Sequence, residues 1–459
     1  MKKRAGDTPI VIGRLCRQRD NFNTITGHTG DVIRLDENEY EILKEMNGFQ
    51  SSDDISKKLN LSVEKVNKTF EKYKDNSRMV TTLKKWNRIG WCSKCHTYIS
   101  GEKCGICNGD IEKIIFSPPC DPFICFDEER MFIVNALKDN FGIEIPEDTL
   151  LLAANGCENN KFFWDVAYNG QIVLRIIFTN LEKENWKYEL LVDKEEIIKE
   201  IPQRLDERTW NKLFEANKQS QKKLCDTAKS LILEANEFFD NKQLIYFSGG
   251  KESLVMLNLY SELNLDANVL TVATGVDFPD DIEYTKKIRN ELDVNHNFTF
   301  YFYEGDEEKI LSRLKEEKLL SAKIPWCRND FKEKLKNTGT NDIYHNTDFV
   351  AAEGSRWYES DYRRRFPKVD YIKRYKYQVW IHPISEWTSF DIWIYLMEHK
   401  IPMNPIYLKG FQRTTCWLCP VVNPFHILCS QKYYPELWEK IPECRLDAFD
   451  NDETNDLPF

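Results

Sequence analysis

The sequence predicts an α/β protein whose C-terminal part is a doubly wound parallel sheet, preceded by a winged-helix-like segment, a four-cysteine ribbon and a small α/β domain. Three observations predict it. From Gln243 onward, short apolar runs alternate with segments of helical period, as β-α-β units of a parallel sheet require. Two tight C-x-x-C pairs stand close together between Cys92 and Cys107. The chain has 459 residues, too many for one typical core, so two to four domains are expected.

In chain order, residues 1–86 read as the winged-helix-like module. Tyr40, Leu43 and Met46 share one helical face. Ser51 caps a short helix ending at Leu59, and Ser62 caps a third with Val66, Phe70 and Tyr73 at helical spacing. Met79-Val80-Thr81-Thr82 then reads as a strand. Between Ser51 and Trp86 nine Lys/Arg stand against five Asp/Glu, in a chain of net charge −10. Overall acidity makes the chain a poor non-specific binder of nucleic acid. The local basic balance fits a protein-contact module or a nucleic-acid reader.

Residues 87–119 form the ribbon and 120–204 the small α/β domain. In the latter a helix is expected over 127–141, followed by two apolar runs separated by Asn169-Gly170, the strongest short hairpin signal. Residues 205–459 form the last domain. It opens with a long helix over 205–239. Strands are then expected at 244–247, 267–273 and 298–303, with helices at 253–263, 280–292 and 307–320. No run of 18 uncharged apolar residues occurs, so no transmembrane helix is expected. Met1-Lys2-Lys3-Arg4 is basic but no apolar stretch follows, which reads as no signal peptide. Fourteen cysteines, six of them in C-x-x-C pairs, fit metal chemistry in a reducing cytoplasm better than a disulfide framework.

Cys92-x-x-Cys95 and Cys104-x-x-Cys107 are separated by eight residues. Each pair can place two thiolates on one tetrahedral ion, and a hairpin brings the pairs together. Structural zinc is the first reading; rubredoxin-type iron or a disulfide is the lesser one.

The central signal is strand, then Ser248-Gly249-Gly250-Lys251-Glu252-Ser253, then helix. The glycines let backbone N–H groups close on an anion, and the helix adds its positive end. Two hydroxyls and one cation complete a phosphate cradle. It is not a Walker loop, because Ile245 and Glu252 stand where that pattern needs Gly and Ser/Thr. An ordinary Gly-rich βα turn is the alternative.

Other segments accompany the loop. They are Thr274-Gly275-Val276-Asp277-Phe278-Pro279; Gly354-Ser355-Arg356-Trp357-Tyr358-Glu359-Ser360, with Arg363, Arg364 and Arg365 behind it; His382-Pro383-Ile384 through Trp387 and Asp391-Ile392-Trp393; and Pro402-Met403-Asn404-Pro405-Ile406-Tyr407. Together they resemble the phosphoadenosine-phosphosulfate (PAPS) reductase family of PP-loop ATP pyrophosphatases, with their adenine nucleotide α-hydrolase-like fold. The chain is closest to archaeal-type members with an N-terminal zinc ribbon. The resemblance implies that Ser248, Gly249, Gly250, Lys251 and Ser253 cradle the phosphates of ATP, adenylyl sulfate or PAPS. Glu252 stands where the family has Asp, Asp277 would lie beside the nucleotide, and Arg356 would face phosphate or sulfate. Lys251, Arg356 and Asp277 are thus the catalytic candidates.

The resemblance also implies a [4Fe–4S] cluster on Cys327, Cys416 and Cys419, with Cys429 as fourth ligand. A second zinc on the same thiols is the rival, and a redox dithiol the third reading. Cys16, Cys120, Cys125, Cys157 and Cys225 read as small hydrophobes.

Two reactions are compatible with the family. One cleaves ATP to AMP and pyrophosphate with Mg²⁺, adenylating an acceptor that sulfur then displaces. The other is PAPS or adenylyl-sulfate reduction releasing sulfite. For the reductase, Glu443-Cys444-Arg445 is the available nucleophile element, and it lacks the Gly and His that follow the family's cysteine. The ATP reaction is therefore the first reading, with a sulfur donor and a macromolecular acceptor, nucleic acid or protein, as partners. The C-x-x-C element at Cys416 is also similar to the family member that serves DNA phosphorothioation. A nucleic-acid-binding scaffold with a relic nucleotide domain is the non-enzymatic alternative, against which the intact loop counts.

Overall fold

The computed structural model describes residues 7–17, 23–28, 31–74, 79–158, 161–179, 183–293, 297–317, 326–371, 376–417, 419 and 422–440. Cys444 and its neighbours lie outside the described residues.

The N-terminal module comprises β1 (Pro9–Val11), the antiparallel trio β2 (Arg14–Arg17), β3 (Asn23–Thr26) and β4 (Val32–Leu35), helices α1 (Glu37–Glu45), α2 (Ser52–Leu59) and α3 (Val63–Tyr73), then β5 (Val80–Thr82) and α4 (Leu83–Trp86). Asp36 and Ser51 each close a capping box with the acid three residues on, and Ser62 caps α3. The strand after α3 returns antiparallel to β1. The helices bury Ile42, Leu43, Ile55, Val66 and Phe70 in a core of their own.

The ribbon is β6 (Ile89–Cys92), flanked antiparallel by β7 (Thr97–Ser100) and β8 (Glu112–Lys113). Next come β9 (Pro119–Ile124), α5 (Asp127–Phe141), β10 (Leu152–Glu158), β11 (Lys161–Tyr168), β12 (Gln171–Phe178) and β13 (Lys187–Leu190), in a five-stranded sheet of order β13-β12-β11-β10-β9 that is antiparallel throughout. The β11–β12 turn is Asn169-Gly170, both at positive φ (44° and 85°), the geometry that an Asn-Gly hairpin selects. β10 carries a bulge between Ala154 and Gly156.

After α6 (Lys194–Lys199) comes α7 (Glu207–Phe238), the expected long helix, capped by Asp206. Its Asn217 is fully buried and completes the edge of β7: Nδ2 donates to the Tyr98 carbonyl (3.0 Å) and Oδ1 accepts from the Ser100 N–H (2.7 Å).

The C-terminal sheet contains β14 (Gln243–Tyr246), β15 (Ala267–Ala273), β16 (Phe298–Glu304), β17 (Phe349–Ala352), β18 (Val369–Asp370) and β19 (Gln378–Ile381), in the order β16-β15-β14-β17-β19-β18. All pairs are parallel except the edge pair β18–β19. Helices α8 (Lys251–Glu262), α9 (Pro279–Asp293), α10 (Glu307–Glu317), α11 (Glu333–Tyr344), α12 (Ser389–Glu398), α13 (Pro424–Tyr433) and α14 (Pro435–Trp438) complete it. The chain moves outward from β14 in one direction and resumes at β17 on the other side. Ligands of open α/β sheets bind at such a reversal, outside the carboxyl ends of the strands.

The five-stranded sheet shares its core with this domain. Trp164 and Phe132 meet Phe425 of α13 at 4.7 and 4.9 Å between ring centres, and Phe126 meets Trp393 of α12 at 4.8 Å. Among the described residues no helix is long and apolar enough to cross a membrane.

Candidate nucleotide site and four-cysteine centre

The loop between β14 and α8 lies at the reversal point. Gly249 has φ +72°, and a Cβ there would meet Thr285 Oγ1 at 2.3 Å, so conformation and space both demand glycine. At Gly250 a Cβ would meet Thr414 Oγ1 at 2.7 Å. Gly250 is the N-cap of α8, which begins at Lys251, two residues before the expected start. Ser253 ties the loop shut: its hydroxyl donates to the Gly250 carbonyl (2.8 Å) and accepts from the Ser248 N–H (3.3 Å).

The Pro402–Tyr407 segment braces this loop. Asn404 Nδ2 donates to the Gly249 carbonyl (3.1 Å) and to Asp281 Oδ1 (2.7 Å), and the Tyr407 hydroxyl accepts from the Lys251 N–H (2.8 Å). Burial, reinforced by Asp277 and Asp280, pushes the Asp281 carboxyl up to about 8. Asp277 accepts from the Thr274 hydroxyl (2.8 Å) and lies 3.8 Å from Cys416 Sγ.

The charged side chains of the loop are engaged. Lys251 is buried; its Nζ donates to the Gln412 carbonyl (2.7 Å) and pairs with Glu252 Oε1 (2.9 Å). The same oxygen accepts from Arg356 Nη2 (2.8 Å). Burial opposes ionisation of Glu252, but Lys251 and Arg356 outweigh it and hold the carboxyl at about 2.

Arg356, expected to face phosphate or sulfate, is 2% exposed, and its guanidinium is engaged by protein groups. Asp121 of β9 takes Nη1 and Nη2 at 2.9 and 3.1 Å, Glu252 takes Nε and Nη2, and Ser389 Oγ and the Trp387 carbonyl take the rest. Two of the following arginines also have partners within the protein. Arg364 donates to the Val11 carbonyl (2.9 Å) and pairs with Asp361, while Arg363 pairs with Glu359. These residues fasten the N-terminal module, where His28 stacks on Trp357 at 3.8 Å and its Nε2 meets the Arg364 carbonyl.

The first four cysteines converge. The sulfurs of Cys92, Cys95, Cys104 and Cys107 all lie within 4.8 Å of one another. Four thiols at that separation form a closed tetrahedral donor set that fits a structural metal ion. The thiol of Cys107 is drawn down to about 7, first by the Gly109 N–H, whereas burial and the neighbouring thiols push Cys95 up to about 12. Gly105 sits so tightly on α7 that a Cβ would meet the Glu215 carbonyl at 2.5 Å, and its N–H donates to the Ala216 carbonyl (2.8 Å).

Residues 242–422 match the family model of the phosphoadenosine phosphosulfate reductase domain. Over these residues the chain is similar to the PAPS reductase family. An uncharacterized protein of Methanocaldococcus jannaschii is 24% identical over 77% of this chain and 90% of its own length. An adenosine 5′-phosphosulfate reductase of Bacillus mycoides is 26% identical over 40% of this chain and 75% of its own. A solved PAPS reductase of Candida auris, in a phosphate complex, covers 47% of this chain and 98% of its own at 15% identity and a TM-score of 0.35.

Within the PAPS reductase domain, the second cysteine set does not assemble as expected. Cys419 acts electrostatically on both Cys327 and Cys416. Cys429 faces elsewhere: its sulfur packs on Gly410 and its charged neighbours are Glu129, Glu128 and Lys432. Among the described residues the four thiols form no ligand group. Of the remaining cysteines, Cys120 and Cys125 are fully buried as expected, while Cys16, Cys157 and Cys225 are partly exposed. Sequence reasoning missed Asp121, Asn404, Tyr407 and Gln412. Of these only Asn404 and Tyr407 lay within a segment already singled out.

Proposed function

We propose that this protein is a nucleotide-dependent enzyme of the PAPS reductase family that cleaves ATP between its α- and β-phosphates. The adenylyl group passes to an acceptor oxygen, pyrophosphate leaves, and a sulfur donor then displaces AMP. The loop from Ser248 to Ser253 carries the proposal. Its positive-φ glycine, braced by Asn404 and Tyr407 at the N-terminus of α8, is built to present backbone N–H groups and a helix end to an anion. Pyrophosphate is a good occupant of such a cradle, and charge that develops there on bond cleavage is stabilised by fixed dipoles.

Mg²⁺, when bound with ATP, would supply further positive charge to the leaving group. Glu252 is consumed by Lys251 and Arg356, which leaves Asp277 as the candidate carboxylate to hold it. The four-thiol centre is proposed as a structural zinc site, since four thiolates leave no open position for catalysis.

Sulfonucleotide reduction is the second reading, favoured by the adenosine 5′-phosphosulfate reductase named among the relatives. Against it stands Cys444, flanked by Glu443 and Arg445 without the family's Gly and His. The two are separated by anaerobic incubation with ATP, Mg²⁺ and a sulfur donor, and in parallel with adenylyl sulfate or PAPS and a thiol reductant. AMP and pyrophosphate from ATP, with Cys444→Ser tolerated, is the expected result. Sulfite formation that disappears in Cys444→Ser would make the protein a reductase.

A further inference from the structure

The five-stranded sheet reaches the phosphate loop by two separate routes. Asp121 on β9 holds Arg356 in a two-pronged pair and also accepts from the Ser389 hydroxyl (2.8 Å) at the start of α12. Asn155 lies at the bulge of β10, where an extra residue re-aims side chains. Its Nδ2 donates to Gln412 Oε1 (2.8 Å), and its Oδ1 accepts from Trp164 Nε1 (2.8 Å). Gln412 in turn accepts Lys251 Nζ on its carbonyl. The two routes meet at Glu252, which both Lys251 and Arg356 contact. A polar chain therefore leaves the small sheet at Asp121, crosses the loop and returns at Asn155.

The charges on this chain cancel. Lys251 and Arg356 are cations, Glu252 and Asp121 carboxylates, and the adjacent Arg363 is balanced by Glu359, which also lies 3.8 Å from Arg356 Nε. A phosphate-binding loop gains from net positive charge, yet this one is held neutral by a carboxylate contributed from outside its own domain. Were Asp121 uncharged, Arg356 would keep Glu252 and the more distant Glu359 (3.8 Å) as its carboxylates, drawing Glu252 away from Lys251 and freeing that cation for an incoming anion.

We propose that Asp121 is a positioning residue of the nucleotide site: by occupying Arg356 it supplies the counter-charge that sets the loop's affinity for phosphate, making the small sheet a working part of that site. This rests on the reading of the loop as the phosphate site.

The test is calorimetric titration of the full chain with inorganic pyrophosphate, and separately with adenosine. Wild type, Asp121→Asn and the double variant Asp121→Asn/Arg356→Gln are compared at two salt concentrations. Asn keeps the shape and an acceptor at position 121 while removing its charge. Asp121→Asn is expected to bind pyrophosphate about tenfold tighter, the scale of one unit charge acting over roughly 10 Å at an effective dielectric constant near 20. The gain should shrink at high salt, adenosine binding should not change, and the double variant should return to wild-type affinity. A residue that merely supports the fold would give weaker or unchanged binding in Asp121→Asn, and that result in a folded protein overturns the proposal. If Asp121→Asn does not fold, the double variant decides. Wild-type affinity upholds the charge balance, while weaker binding or failure to fold overturns it. Absence of pyrophosphate and ATP binding in wild type as well would overturn the phosphate-site reading beneath it, a pattern distinct from either outcome.

Discussion

The hydroxyl of Tyr407 accepts the backbone N–H of Lys251 at 2.8 Å, across 156 positions of sequence. That N–H belongs to the first turn of α8, where helix donors have no partner within the helix. Tyr407 thus occupies a donor of the anion cradle from the protein side. Tyr407→Phe should lower stability by about 1–2 kcal/mol, the cost of an unmet buried donor. Added pyrophosphate should recover part of the loss by taking that donor. Thermal melts with and without pyrophosphate check both halves, and a loss that pyrophosphate leaves untouched would place the N–H away from the ligand.

Gly249→Ala is expected to abolish nucleotide binding. The new Cβ would sit 2.3 Å from Thr285 Oγ1 at a φ of +72°, a region costing a non-glycine residue about 1–2 kcal/mol before any clash. Calorimetry with ATP on the folded variant reads this, with Gly101→Ala, at an open turn against Ser220, as a control for general strain. Retained affinity in Gly249→Ala would mean that the ligand sits elsewhere. Lys251→Ala with Ser248→Ala should weaken binding as well. The alanine at 251 also leaves Glu252 with Arg356 alone, so its melting temperature must be reported beside its affinity.

Elemental analysis after anaerobic purification should find one zinc per chain, lost in Cys104→Ser. Prolonged treatment with a strong chelator should release it together with stability, because metal binding to such a site is part of the folding free energy. Iron with visible charge-transfer absorption that survives Cys429→Ser would show a cluster held by Cys327, Cys416 and Cys419 with another fourth ligand. One zinc and no iron would leave those thiols without a metal role.

Glu129 carries a pH signature. It lies buried on α5, its Oε2 has no hydrogen-bond partner among the described residues, and burial raises its carboxyl to about 8. The folded state holds this proton where the unfolded chain has released it. Its favourable contribution is therefore complete below about 4.5 and is lost as pH rises toward 8. Glu129→Gln should match wild type near pH 4 and be more stable at pH 7, by on the order of 3 kcal/mol. Glu252 runs the other way: held at about 2, it stabilises above about 4.5 and ceases to as pH falls toward 2. Urea melts of wild type and both Gln variants across pH 3–8 separate the two slopes. Equal slopes for Glu129→Gln and wild type would remove the assignment.

What the sequence made legible is what local chemistry dictates. Two adjacent glycines after an apolar run, a pair of C-x-x-C steps and an Asn-Gly turn each have few structural solutions, and the fold adopts them. The destination of Arg356 was not legible, because its main partner, Asp121, lies 235 residues away in another sheet. A G-x-R pattern names the residue but not which carboxylate reaches it first. The surroundings of Cys429 were not legible for a similar reason. Ten residues separate it from Cys419, a span compatible with a shared metal, but α13 turns its sulfur toward Gly410 and α5. Of the three arginines behind the motif, Arg363 meets Glu359 and Arg364 meets Asp361 and the Val11 carbonyl, the last in the first strand of the chain.

The hold of the four-thiol knuckle on α7 has a physiological consequence. Gly105 and the edge of β7 grip this helix at Ala216 and Asn217, one turn before Gln221 Nε2 donates to the Asp391 carbonyl of α12 (3.2 Å). A cell starved of metal, or one whose thiols have been oxidised, would loosen the middle of α7 and with it the seat of α12, where Ser389 meets Arg356. On the proposed reading of both sites, nucleotide turnover would then follow metal supply and redox state, although the four thiols stand apart in sequence from the phosphate loop.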